Sequence, residues 1–120
     1  MMNYFKTATN EFLLVRICAV LMFFYTAYII IFITSTPSID YPIWKSFFDE
    51  ITTKVFTLVF VSAFAFHTWH GLTAIGQDYL HTDSTFGRLG NLSPLIYSSY
   101  RFICATIISL VFIWSLLIIW

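Results

Sequence analysis

Phe66-His-Thr-Trp-His-Gly-Leu-Thr-Ala-Ile-Gly-Gln-Asp-Tyr-Leu80 closes a long apolar run that begins near Val55. It contains His67 and His70, two of the three histidines in the chain. Trp69, Gly71 and Gly76 lie among them, and Asp78 and Tyr79 follow where the apolar run stops. Ionisable groups within an apolar segment of membrane-spanning length are costly and need a reason to be there. The reading of this stretch therefore decides both the fold and where chemistry sits.

The chain has 120 residues, of which 59% are hydrophobic and only 10% charged. A soluble domain is about a quarter charged, and a chain this short has too little interior to hide so much apolar side chain. Lipid must cover it. Apolar runs at Phe12–Ile33, Val55–Ile75 and Phe102–Trp120 each have roughly the 20 residues that cross a hydrocarbon core as a helix. The expected fold is all-α and integral to the membrane. It forms a single membrane-anchor domain over residues 1–120, with three transmembrane helices at about 12–34, 52–77 and 101–120. The first run is longer than a signal-peptide core and lacks a small-x-small cleavage site, so it is expected to remain as an anchor. No Arg- and Ser-rich presequence precedes it, which points to a bacterial inner membrane. Cys18 and Cys104 fall inside the spans without metal-like spacing and read as packing residues.

Asn10 is placed to cap a helix starting near Glu11. Arg16 sits about one turn inside the first span, where it either snorkels to the interface or pairs with an anionic group such as a cofactor carboxylate. Between the first two spans, Tyr41 to Phe48 reads as a short interfacial helix. Pro42 suits its first turn, and Tyr41 and Trp44 suit the headgroup level. Gln77 to Tyr100, with Gly87, Gly90, Asn91, Ser93 and Pro94, reads as an irregular loop holding solvated His81 and Asp83. Ala105, Ser109 and Ser115 offer close-approach points on the third span. Lys6, Arg16, Arg88 and Arg101 fall on one side of the membrane, Lys45 and Lys54 on the other. The positive-inside rule then gives a cytoplasmic N-terminus.

At about 100° per residue, Ala63, His67, Gly71, Ala74 and Asp78 form one stripe of the second span. Small residues above and below His67 leave room for a flat body beside the imidazole. A neutral imidazole is a standard haem ligand; the alternatives are a proton relay and, plainer, a histidine hydrogen-bonded to a neighbouring helix. His70 lies about 60° from His67, so the two cannot take opposite faces of one haem, and a second ligand would come from another chain. His67 is favoured because Ala63 and Gly71 flank it. Asp78 is about 16 Å further along the stripe. With Tyr79 it suits a lipid-soluble carbonyl compound such as a quinone, whose two-electron reduction takes up two protons. The plainer alternative is a helix-end acid beside an interfacial tyrosine.

These residues form the pattern His-x-Trp-x-Gly-x6-Asp-Tyr, here His67, Trp69, Gly71, Asp78 and Tyr79. Glu-Phe-Leu-Leu-Val-Arg around Arg16 and Thr-Lys-Val-Phe-Thr-Leu from Thr53 extend it. From about Asn10 to Leu80 the chain resembles the hydrophobic membrane-anchor subunits of bacterial succinate dehydrogenase, the succinate:quinone oxidoreductase of complex II. The resemblance implies that the chain packs with a second three-helix anchor subunit into a helical bundle. The two would share one haem b, with one histidine from each. It implies His67 as the axial ligand of the iron and Arg16 as partner of a haem propionate. Tyr79 would donate a hydrogen bond to a ubiquinone carbonyl, with Asp78 in the proton path. An iron–sulfur protein and a flavoprotein, the other two members of the complex, would dock on the cytoplasmic face. Electrons would pass from succinate through flavin and iron–sulfur clusters to quinone. The chain itself would hold no catalytic residue, and no nucleic-acid partner is expected. His70 and the long Gln77–Tyr100 segment depart from the pattern. Two other readings are a fumarate reductase anchor using menaquinone, and a haem-free structural or transport-associated subunit in which His67, Asp78 and Tyr79 only pack and hydrogen-bond.

Overall fold

The computed structural model describes residues 2–80 and 90–120, with side chains over 7–80 and 91–120. Among the described residues the fold is all-helical. Helix α1 spans Met2–Ser35, α2 Tyr41–Asp49, α3 Ile51–Leu80 and α4 Ser93–Ile119, the last preceded by a 3-10 turn at Gly90–Leu92. Among the described residues, three segments are long and apolar enough to cross a membrane: Thr7–Ser35, Ile51–Leu80 and Ser93–Ile119. The α3 span has the lowest mean hydropathy, 1.4 against 2.4 and 2.7, because the polar groups of the candidate site are concentrated there.

The helices outrun the apolar runs that announce them. With 34 residues, α1 is about 51 Å long, well beyond a 30 Å hydrocarbon core. Outside that core a helix tolerates polar residues, so polarity marks the bilayer edge and not the helix end. Asn10 accordingly lies within α1 and caps nothing. The segment expected as an irregular Gln77–Tyr100 loop is helical at both ends, Gln77–Leu80 in α3 and Ser93–Tyr100 in α4. Pro94 sits in the first turn of α4, where its missing N–H costs nothing. His81, Asp83, Gly87 and Arg88 lie outside the described residues.

The short helix between the first two spans forms as its sequence suggests. Asp40 caps α2 by accepting from the Ile43 N–H at 3.0 Å, and Pro42 occupies the first turn. Phe47 stacks on Phe32 of α1, with ring centroids 3.8 Å apart and planes 10° from parallel. Asp49 and Lys54 pair at 3.5 Å across the turn into α3. The Asp49 side chain is 56% exposed, so that pair contributes little.

Helix α3 is the middle element, with α1 packed along one side and α4 along the other. The α1–α3 pairing is antiparallel. Tyr28 and Thr53 hydroxyls bond at 2.8 Å, and so do Tyr25 and Thr57. Within a bilayer such bonds contribute roughly 0.6 kcal/mol each; their larger effect is to set register. The Tyr25 ring also stacks on Phe60, 4.3 Å between centroids.

On the other side, Gly76 lets α4 approach. A Cβ at Gly76 would lie 2.7 Å from Tyr100 Cε1 and 3.2 Å from Tyr97 Cε2. The Tyr100 hydroxyl donates to the Leu72 carbonyl at 2.8 Å, and Ser93 donates to the Leu80 carbonyl. Gly76→Ala must displace the Tyr100 ring and is expected to cost about 1–3 kcal/mol, the usual penalty of overpacking. A lower thermal midpoint of the detergent-solubilised protein checks this; an unchanged midpoint would show that the α3–α4 contact is looser than described.

Among the described residues the buried set is small: Tyr25, Val61, Ala63 and Cys104, with Thr53, Thr57, Gly76 and Ser93. Large apolar side chains point outward, including Phe23, Phe102 and Leu117 at 70%, 75% and 75% exposure. In lipid these faces carry no hydrophobic penalty, and they remain available for helix packing.

Candidate functional site

The central group is His67. Its Nδ1 lies 3.3 Å from the Val15 carbonyl of α1. A carbonyl only accepts, so Nδ1 carries the proton in this contact. In the neutral ring Nε2 then holds the free lone pair, the nitrogen a neutral imidazole offers to a hydrogen-bond donor or a metal. The Val15 carbonyl is a backbone group and gave no signal in the sequence; the acceptor emerges only from the α1–α3 register.

The small-residue stripe divides at His67. Ala63 is buried at 6% exposure and belongs to the helix interface. Gly71 is exposed, and a Cβ there would meet nothing within 4 Å. Ala74 and Asp78 are exposed on the same stripe, and Thr7–Leu14 of α1 are exposed as well. Beyond the Val15–His67 contact, α1 therefore no longer covers α3. Of the two small residues flanking His67, Gly71 is the one that stands open.

His70 takes a different environment. Its ring packs against Phe66 at 4.3 Å between centroids, away from the Val15 contact. Arg16 follows Val15 on α1, and its guanidinium lies over the Phe12 ring at 4.2 Å. That is the snorkelling direction, toward the helix start, and it sets the charge on the same stretch of α1 that His67 touches. Asp78 and Tyr79 stand at the last turn of α3, with Tyr79 53% exposed. They are not brought into contact with His67; the separation along α3 stays about 16 Å.

One cluster was not read from the sequence. Arg101 of α4 lies 5.5 Å from the Trp69 ring and 5.9 Å from that of Tyr97. Tyr97 and Arg101 are one helical turn apart, a signal that needed Ser93–Tyr100 to be recognised as helix. The cluster lies near the level of His67 but on the α4 side of α3. An apolar groove of about 420 Å³ also opens between α3 and α4, lined by Phe64, Ala65, Leu72, Cys104 and Ile108 among others. It suits hydrocarbon and does not include His67. No cluster of three or more metal-ligating side chains occurs among the described residues.

The fold and this site define a small polytopic membrane protein, with one oriented histidine at depth and an acid–phenol pair at the end of the same helix. Residues 2–114 match the family described as succinate dehydrogenase/fumarate reductase transmembrane subunit. The chain belongs to that family and is a membrane anchor of its kind. It is also similar to the succinate dehydrogenase hydrophobic membrane anchor subunit of Coxiella burnetii, 26% identical over 105 residues, covering 88% of this chain and 82% of that relative.

Proposed function

We propose that this chain supplies one wall of a haem b and quinone site in a succinate:quinone oxidoreductase of the bacterial inner membrane. A second three-helix anchor subunit would supply the other wall, and the iron–sulfur and flavoprotein subunits would dock at the end carrying Tyr79. The observation that carries this reading is the His67 Nδ1 contact to Val15 beside the open Gly71 position. It leaves Nε2 as the ligating nitrogen, with space next to it. The donor chemistry fits a haem iron, for which neutral imidazole is a standard axial ligand. Bound there, the haem would supply a one-electron redox centre.

The other roles follow from placement. Arg16 provides a fixed positive charge on the turn of α1 that touches His67, suited to a propionate. Tyr79 presents a phenolic donor at the membrane edge, suited to one carbonyl of ubiquinone. Quinone takes two electrons and two protons to become quinol. The electrons come from the iron–sulfur subunit, and exposed Asp78 relays protons from water. The same groups serve either direction of the reaction; we propose the succinate-oxidising direction because the Coxiella burnetii relative carries that name.

The test is a reduced-minus-oxidised optical spectrum of the purified complex. Low-spin b-type bands are expected. Their absence from a fully assembled preparation would leave His67 as an interhelical hydrogen-bonding residue only.

A further inference from the structure

A second groove lies at the opposite end of the bundle from Tyr79, where α2 meets the last turn of α4. Its volume is about 440 Å³, and its lining includes Tyr41, Trp44, Lys45, Asp49, Ile118 and Ile119. The lining changes character along its length. Ile118 and Ile119 make an apolar floor from the end of a membrane span. Tyr41, Trp44 and Lys45 make a polar and aromatic mouth on a helix at headgroup level.

The charge arrangement selects an occupant. Asp49 is paired with Lys54 at 3.5 Å, and the Lys54 ammonium is also 5.9 Å from the Trp120 ring. Lys45 has no ion-pair partner among the described residues. The groove therefore offers one uncompensated cation above an apolar floor. We propose that it holds one glycerophospholipid, with the phosphodiester on Lys45. Trp44 and Tyr41 provide N–H and O–H donors beside the ester groups, and the start of an acyl chain lies along Ile118 and Ile119. A phosphodiester carries one negative charge, which matches the single free ammonium.

The experiment uses the assembled complex, stripped of lipid stepwise in detergent and then titrated with dioleoyl phosphatidylglycerol, with bound lipid counted by native mass spectrometry. Dioleoylglycerol, with the same chains and no phosphate, is the comparison probe. Wild type is expected to retain one phospholipid and to bind the diacylglycerol far more weakly. Lys45→Met should weaken phospholipid binding about fivefold, the usual effect of one basic residue at a membrane surface, and Lys45→Glu should weaken it further. Ile119→Trp, which fills the floor and leaves the charge intact, should also release the lipid. Equal retention by Lys45→Glu and wild type would overturn the proposal. So would equal binding of both probes, or photo-crosslinking from position 118 to another protein of the complex in place of lipid. None of these outcomes depends on the haem or quinone reading.

Discussion

His67→Ala is expected to remove or alter the low-spin b-type haem signal of the assembled complex, and His70→Ala to keep most of it. This is the expected result if the Val15 contact marks the ligand. His67 alone of the two has a backbone carbonyl on Nδ1, at 3.3 Å. That bond favours the tautomer with the proton on Nδ1, which leaves the Nε2 lone pair free for a ligand role. His70 packs against Phe66, and no carbonyl orients its ring among the described residues. A low-spin haem needs both axial ligands, so losing one changes or removes the spectrum even where the pocket still forms. The readout is optical and does not depend on turnover. Loss of the signal in His70→Ala with retention in His67→Ala would reverse the assignment.

Tyr79→Phe is expected to lower succinate:quinone activity on the order of 100-fold, the scale of losing one donor to an oxygen that becomes charged during reaction. Succinate-dependent reduction of an artificial dye by the soluble subunits should stay at the wild-type level. That split separates a quinone defect from an assembly defect. The ring of Tyr79 stays in place in the variant, and only its hydroxyl is removed. Asp78→Asn should have a smaller effect, because Asp78 is exposed and water can carry protons past it. Unchanged quinone activity in Tyr79→Phe would remove that residue from the site.

Much of the fold was legible because lipid imposes a simple rule. A run of about 20 apolar residues in a short chain must be a helix, since no other isolated segment satisfies its backbone there. The α2 helix was legible for a different reason: Pro42, Trp44 and Tyr41 each have a positional preference. Helix ends were less legible. Ser93–Tyr100 looks like loop chemistry, yet Pro94 in a first turn starts a helix as readily as it ends one. Arg101, read as a charge at the start of a span, instead lies over Trp69 and Tyr97.

The site divides in the same way. Helical periodicity placed His67 and Asp78 on one stripe from their spacing alone, and Tyr79 followed where the apolar run stops. The same spacing suggested equal room on both sides of His67. Packing decided otherwise: Ala63 is buried, and Gly71 stands open.

The amino-acid sequence by itself determined three spans, one short connecting helix and a single stripe of polar chemistry on α3, because these follow from hydropathy, positional preferences and a fixed helical angle. Only the tertiary structure decided that α3 is the central helix, that His67 bonds to α1 while Gly76 receives Tyr100 of α4, and that α1 leaves the Gly71–Asp78 face uncovered. Such choices depend on interhelical register. In a bilayer that register is set by a few close contacts, Tyr25 with Thr57, Tyr28 with Thr53 and Gly76 with Tyr100, and not by the hydrophobic pattern, since lipid covers an apolar face as well as another helix does.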